Sequence, residues 1–126
     1  MPAVVVFLID AVLVIIFAAI GRASHNEGLD IAGIAETGWP FLGALGLGWI
    51  VAHSWKRGAP RTVVEGLPVW AVTVAAGMLL RRATGEGTAV AFIIVATVTL
   101  AFLLLGWRFI ARLIINKRTS SRASAA

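Results

Sequence analysis

The sequence has no cysteine, which removes disulfides, thiolate metal sites, iron–sulfur clusters and cysteine nucleophiles from consideration. It holds two histidines, His25 and His53, and six carboxylates, too few to suggest a dedicated metal site, and no cofactor is implied. Charge is scarce. Only 13% of the 126 residues are charged, against roughly 25% in a soluble domain. Apolar residues make up 60% and mean hydropathy is +0.93, so no polar shell can be assembled and large soluble-enzyme folds are excluded. There is no glycine-rich nucleotide loop after a strand, no nucleophile elbow and no His-x-x-Glu motif, and a catalytic constellation cannot be composed from what is present. The composition is that of an integral membrane protein, and a membrane enzyme is the least favoured reading because no nucleophile–base pair or metal set can be composed.

Four apolar stretches come near the ~20 residues that span a bilayer, at about 3–21, 39–55, 64–80 and 88–109. No Lys or Arg precedes the first and Asp10 interrupts it, which reads as a span rather than a cleaved leader. The second is bracketed by Trp39 and Trp55, with Pro40 suited to a first helical turn. The third reaches spanning length only if Val63 to Gly66 join it. The fourth continues past Trp107 toward a basic tail at 116–126, whose Ser, Thr, Arg and Ala residues read as a frayed end. The expected fold is all-α: one transmembrane domain over 1–126, built as a four-helix bundle.

Lysine and arginine set the expected orientation. With a cytoplasmic N-terminus, Lys56, Arg57, Arg61, Arg108, Arg112, Lys117, Arg118 and Arg122 lie inside, and only Arg22, Arg81 and Arg82 lie outside. This asymmetry places both termini in the cytoplasm of a multi-pass plasma (inner) membrane protein. Inner basic residues beside anionic lipid account for the net charge of +5, and no nucleic-acid partner is expected.

The chain matches itself at two places. Arg22-Ala23-Ser24 recurs as Arg82-Ala83-Thr84, and Leu47-Gly48-Trp49 as Leu105-Gly106-Trp107, at offsets of 60 and 58 residues. An even number of spans separates the copies, so they form two helical hairpins of like orientation, related by a pseudo-twofold axis along the membrane normal. Ala44-x-x-x-Gly48, Thr73-x-x-x-Gly77 and Thr97-x-x-x-Ala101 add small-residue pairs suited to close helix packing.

Two polar features carry chemistry. On the outer face, Arg22, Ser24, His25, Arg81, Arg82 and Thr84 could grip a phosphate or carboxylate, with guanidinium forks as the anion ligands and exposed turn amides at Thr84 to Thr88 assisting. The competing reading is mutual neutralisation of the arginines by Glu27, Asp30, Glu36 and Glu86. Within the first span, Asp10 lies near mid-membrane, where an unpartnered charge costs at least ~2.5 kcal/mol. Counting depth from Ile20 puts it level with Thr97, with Arg108 out of reach at the inner interface. Asp10 is thus expected to hydrogen-bond at the level of Thr97, and an Asp10→Asn change to be tolerated.

The residues Gly21-Arg22-Ala23-Ser24-His25, Trp39-Pro40-Phe41, Gly77 to Ala89 and Phe92 to Ala96 resemble the family catalogued as domain of unknown function three-zero-five-four, over roughly residues 5 to 110. The resemblance implies four spans and places Arg22, Ser24, His25, Arg81, Arg82, Thr84 and Gly85 in the family pattern. It implies no activity. The sequence therefore supports two roles: binding of an anionic lipid headgroup or small anion at the outer cluster, or service as an accessory or assembly subunit without its own ligand. Membrane lipids, a second copy of the chain or a larger membrane complex are the expected partners. The topology is directly testable: reporter fusions at Ala126 and after Gly58 should report cytoplasm, and fusions near Gly28 and Gly85 the exterior, with an external C-terminus overturning the span count.

Overall fold

The computed structural model describes residues 1–24, 28–55 and 57–125, apart from the side chains of Ser24, Trp55, Ser124 and Ala125. Helix α1 runs over Ala3–Ser24, α2 over Ile31–Trp55 and α3 over Val63–Ala83. The last span is a single unbroken helical rod: α4 over Val90–Leu100, a π-helical turn over Ala101–Leu105, and α5 over Gly106–Ala125. Four helical stretches, Ala3–Ala23, Ile31–Ser54, Val63–Ala83 and Val90–Ala123, are long and apolar enough to cross a membrane. No strand is present among the described residues.

Each span packs on the next in sequence, most extensively α2 on α3, and the last returns onto α1. The result is an antiparallel four-helix ring. One end of the bundle carries the α1–α2 and α3–α4 connections and is called the loop end; the other, with both termini and the α2–α3 connection, is the terminal end.

Local chemistry fixes the helix boundaries. Helix α2 begins well before Trp39 because the Asp30 carboxylate accepts from the Gly33 N–H at 3.2 Å and acts as an N-cap. Pro40 therefore sits inside α2 rather than in its first turn. Helix α3 includes Val63 to Gly66 because Thr62 and Glu65 form a reciprocal capping box, both hydrogen bonds measuring 3.1 Å. Its other end closes with Gly85 at φ +84°, where the amides of Gly85 and Glu86 bond back to the carbonyls of Arg82 and Arg81. The tail is helical to Ala125, not frayed.

The π turn has a packing consequence. Ala96, Leu100, Leu104 and Arg108, spaced four apart, are all buried. In an uninterrupted α-helix each four-residue step advances by about 40°, so three steps would rotate the last position by ~120° from the first. The wider turn at Ala101–Leu105 takes back part of that drift and keeps Arg108 on the inner stripe.

In the loop-end half of the bundle, Phe41 is buried against the edge of Phe17, with ring centroids 5.1 Å apart, and against Phe92 at 6.3 Å. Gly77 of α3 makes room for that ring: a Cβ there would overlap Phe41. Gly46, by contrast, faces open space. Gly77→Ala should accordingly destabilise the bundle by ~1–3 kcal/mol through overpacking, whereas Gly46→Ala should be neutral or stabilising. Thermal melting of the two variants in detergent checks this, and equal melting points would refute the close α2–α3 packing at Gly77.

Candidate functional site

Two polar centres stand out, one closed and one open. The closed one is built on Asp10, which is fully buried in α1. Arg108 grips it bidentately, Nη1 to Oδ1 at 2.8 Å and Nη2 to Oδ2 at 2.7 Å. Trp107 Nε1 donates to Oδ1 at 2.8 Å, and Trp49 Nε1 to Oδ2 at 2.9 Å. Each oxygen thereby accepts two hydrogen bonds, the full capacity of a carboxylate. Arg108 also donates from Nε to the Pro60 carbonyl and from Nη1 to the Leu104 carbonyl, both at 2.8 Å. Gly66 admits the arginine, since a Cβ at that position would collide with its Cδ and Nε.

This corrects the expected partnership. Asp10 bonds Arg108, while the Thr97 hydroxyl turns back to the Ile93 carbonyl at 2.6 Å, and the Thr97 carbonyl accepts from Trp70 Nε1. The depth estimate failed because α1 continues to Ser24 and α4 starts only at Val90. Measured from those ends, Asp10 lies ~21 Å and Arg108 ~27 Å into the bundle. The ~6 Å difference is within reach of an arginine side chain. The signal was present in sequence: Arg108 is followed by Phe109-Ile110-Ala111 and Leu113-Ile114-Ile115, so it is embedded in an apolar segment rather than ending one.

All four donors to Asp10 belong to groups that cannot accept a hydrogen bond. A proton on this carboxyl would have nowhere to point. The tolerance expected of Asp10→Asn therefore does not follow, because the amide would turn an N–H toward one of these donors and leave Arg108 without a counter-charge.

The open centre lies at the loop end, where all four spans contribute to a recess of about 380 Å³ lined by Arg22, Glu36, Thr37, Arg81, Glu86 and Phe92 among others. Arg22 donates from Nε to the Gly28 carbonyl at 2.6 Å and from Nη1 to Thr37 at 3.3 Å, with Asp30 at 3.8 Å. Arg81 repeats the first of these contacts, Nε to the Gly87 carbonyl at 2.7 Å, and stacks its guanidinium 4.2 Å above the centre of the Phe92 ring. Both Nε bonds reach a carbonyl six residues onward. Thus Arg81, rather than Arg82, reproduces the environment of Arg22.

The predicted outer cluster is only partly assembled. Arg22 and Arg81 converge on the recess; Arg82 is exposed and does not line it. Thr84 bonds the carbonyls of Leu80 and Arg81, and the amides of Thr84, Gly85 and Glu86 close the end of α3 instead of facing a ligand. His25 and the side chain of Ser24 lie outside the described residues, as does Glu27. The neutralisation reading holds for Arg22 with Asp30 but not for Arg81 or Arg82, which pair with no carboxylate among the described residues. Glu36, expected in the outer cluster, lines the recess together with Thr37 and Phe92, which nothing in the sequence assigns to it.

Removing one member of the closed centre should cost far more than removing both. Asp10→Asn or Arg108→Met alone leaves a buried uncompensated partner, expected to destabilise by ~3–5 kcal/mol, and Asp10→Leu with Arg108→Met should recover much of that loss. Stability in mixed detergent micelles, followed by helical circular dichroism, measures both; an Arg108→Met protein as stable as wild type would contradict the assignment.

No curated protein and no solved structure matches the chain. A family model does, across residues 7–111, and it takes in Asp10, both indole donors, Arg108 and the whole lining of the recess. The chain belongs to the family described as "Protein of unknown function (DUF3054)".

Proposed function

We propose that the protein is a small membrane protein whose loop-end recess binds an anionic group, a phosphate of a lipid headgroup or a small solute, at the outer face of the plasma membrane. The observation that carries this reading is the convergence of Arg22 and Arg81 on one recess, each held by a backbone carbonyl at its Nε. Anchoring at Nε fixes the guanidinium plane, so less side-chain freedom is lost when a ligand arrives. The terminal nitrogens of Arg81 have no partner among the described residues and can form a fork to an oxyanion. The recess volume of about 380 Å³ falls at the small end of ligand pockets, which run from ~300 to 1,000 Å³. The exterior location rests on the bias of lysine and arginine toward the terminal end.

The closed centre supports the same choice, because both oxygens of Asp10 are fully engaged and every nitrogen of Arg108 already donates to Asp10 or to a backbone carbonyl. Among the described residues, the loop end is where cations from two spans meet at one recess shared by all four.

Native mass spectrometry after gentle detergent extraction tests the proposal. Wild type should retain phosphate-bearing lipid, and Arg81→Lys should lose roughly tenfold in retention, since an ammonium cannot reproduce a planar fork. Arg82→Lys, outside the recess, should behave as wild type. Equal retention in all three proteins, or a foreign protein co-purifying without lipid, would favour the accessory-subunit role.

A further inference from the structure

The recess contains cations and anions in equal number: two guanidinium groups, Arg22 and Arg81, and two carboxylates, Glu36 and Glu86. Asp30 already stands 3.8 Å from Arg22 on the loop side. Neither Glu36 nor Glu86 has a cationic partner within 4.0 Å among the described residues. A site meant for an anion alone would be weakened by two such carboxylates, which repel the ligand they help to surround. Their presence is accounted for by a ligand that brings its own cation.

Burial orders the charges. Arg22 and Arg81 are half-buried, against a floor formed by Phe17 and Phe92, whereas Glu36 and Glu86 are exposed. The order from inside to outside is therefore guanidinium, then carboxylate. A phosphoethanolamine group has the matching order, because its phosphate is the part joined to the glycerol and its ammonium ends a two-carbon arm. The primary ammonium also offers three N–H donors to carboxylate acceptors, which a quaternary ammonium does not.

We infer that the recess recognises a zwitterion made of an oxyanion and a primary ammonium a short arm apart, the chemistry of a phosphatidylethanolamine headgroup or of free phosphoethanolamine, with Arg22 and Arg81 holding the oxyanion and Glu36 and Glu86 the ammonium. This rests on the anion-binding reading of the same recess and adds the second charge.

Delipidated full-length protein is exposed in mixed micelles to equal amounts of phosphatidylethanolamine, phosphatidylglycerol and phosphatidylcholine of identical acyl chains, and retained lipid is read by native mass spectrometry. Wild type should hold phosphatidylethanolamine roughly tenfold over the other two. In the double variant Glu36→Gln/Glu86→Gln that preference should vanish and phosphatidylglycerol should rise to parity or above; both positions are exposed, and an unchanged melting point verifies folding. Free phosphoethanolamine displacing the lipid would identify a soluble zwitterion as the source, whereas lipid held against an excess of it would identify the headgroup of an intact lipid; either supports the zwitterion chemistry. Phosphatidylglycerol held as well as or better than phosphatidylethanolamine by wild type, with loss in Arg81→Lys, would overturn the inference and leave the anion site standing. No selective retention of any of the three, with Arg81→Lys indistinguishable from wild type, would overturn both.

Discussion

A carboxylate buried in the terminal half of a membrane bundle dictates much of what surrounds it. Lipid chains are as apolar as the side chains of a helix, so apolar contact alone discriminates poorly between one helix register and the next. A buried charge discriminates strongly, because only the register that supplies its partners is tolerable. Asp10 takes a guanidinium from α5, an indole from α2 and another from the residue beside that guanidinium. Through Arg108 it also holds the Pro60 carbonyl, just ahead of α3. One side chain thus sets the relative heights of α1, α2 and the last span, and ties down the connection that leads into α3.

The remaining irregularities of the fold serve that constraint. Trp107 and Arg108 are adjacent, and a regular α-helix would point them about 100° apart. Bringing both to one carboxylate requires the last span to present a corner rather than a stripe, and the π turn at Ala101–Leu105 lies directly upstream of that corner. Gly66 leaves the space in α3 that the guanidinium needs. The two tryptophans occupy corresponding places in the Leu-Gly-Trp segments that recur in the sequence, yet they meet on a carboxylate that has no counterpart in the second half, where Pro68 and Trp70 stand at the matching offsets of 58 and 60. At the loop end the correspondence runs through Arg22 and Arg81, one residue away from the match of Arg22 with Arg82 that the sequence suggested.

Apolar runs made the helix count and the all-α membrane fold legible, because hydrocarbon thickness allows few other readings. Helix ends were harder. The signals for two of them were in the sequence, Asp30 before α2 and Thr62-x-x-Glu65 before α3, but polar residues at those starts look like loop until their hydrogen bonds are drawn. That boundary error propagated into depth, and depth decided the wrong partner for Asp10. The π turn leaves no mark in an apolar string such as Ala101-Phe102-Leu103-Leu104-Leu105, since any of these residues is at home in an α-helix as well. In the candidate site, Arg22 and Arg81 draw notice in the sequence because they fall at the end of the bundle that holds fewer lysines and arginines. The exclusion of Arg82 and Thr84 depends on rotation about the end of α3, which one residue changes by about 100° and which composition does not record.

The two polar centres divide the work of the bundle by their state of satisfaction. At the Asp10–Arg108 centre the charges are matched internally, donors to acceptors, and shielded from solvent; such a centre rigidifies a fold. At the loop end Arg81 keeps its terminal nitrogens clear of described partners, and Glu36 and Glu86 remain exposed around the same recess. Holding separated charges in place around an opening requires a rigid frame, since otherwise they would collapse onto one another as surface ion pairs. The frame here consists of the carbonyls of Gly28 and Gly87 gripping the arginines and the Phe17–Phe41–Phe92 cluster beneath them. Helix register is thus fixed by a buried ion pair at one end of the bundle, and the arginines at the other are held by backbone carbonyls above an aromatic floor.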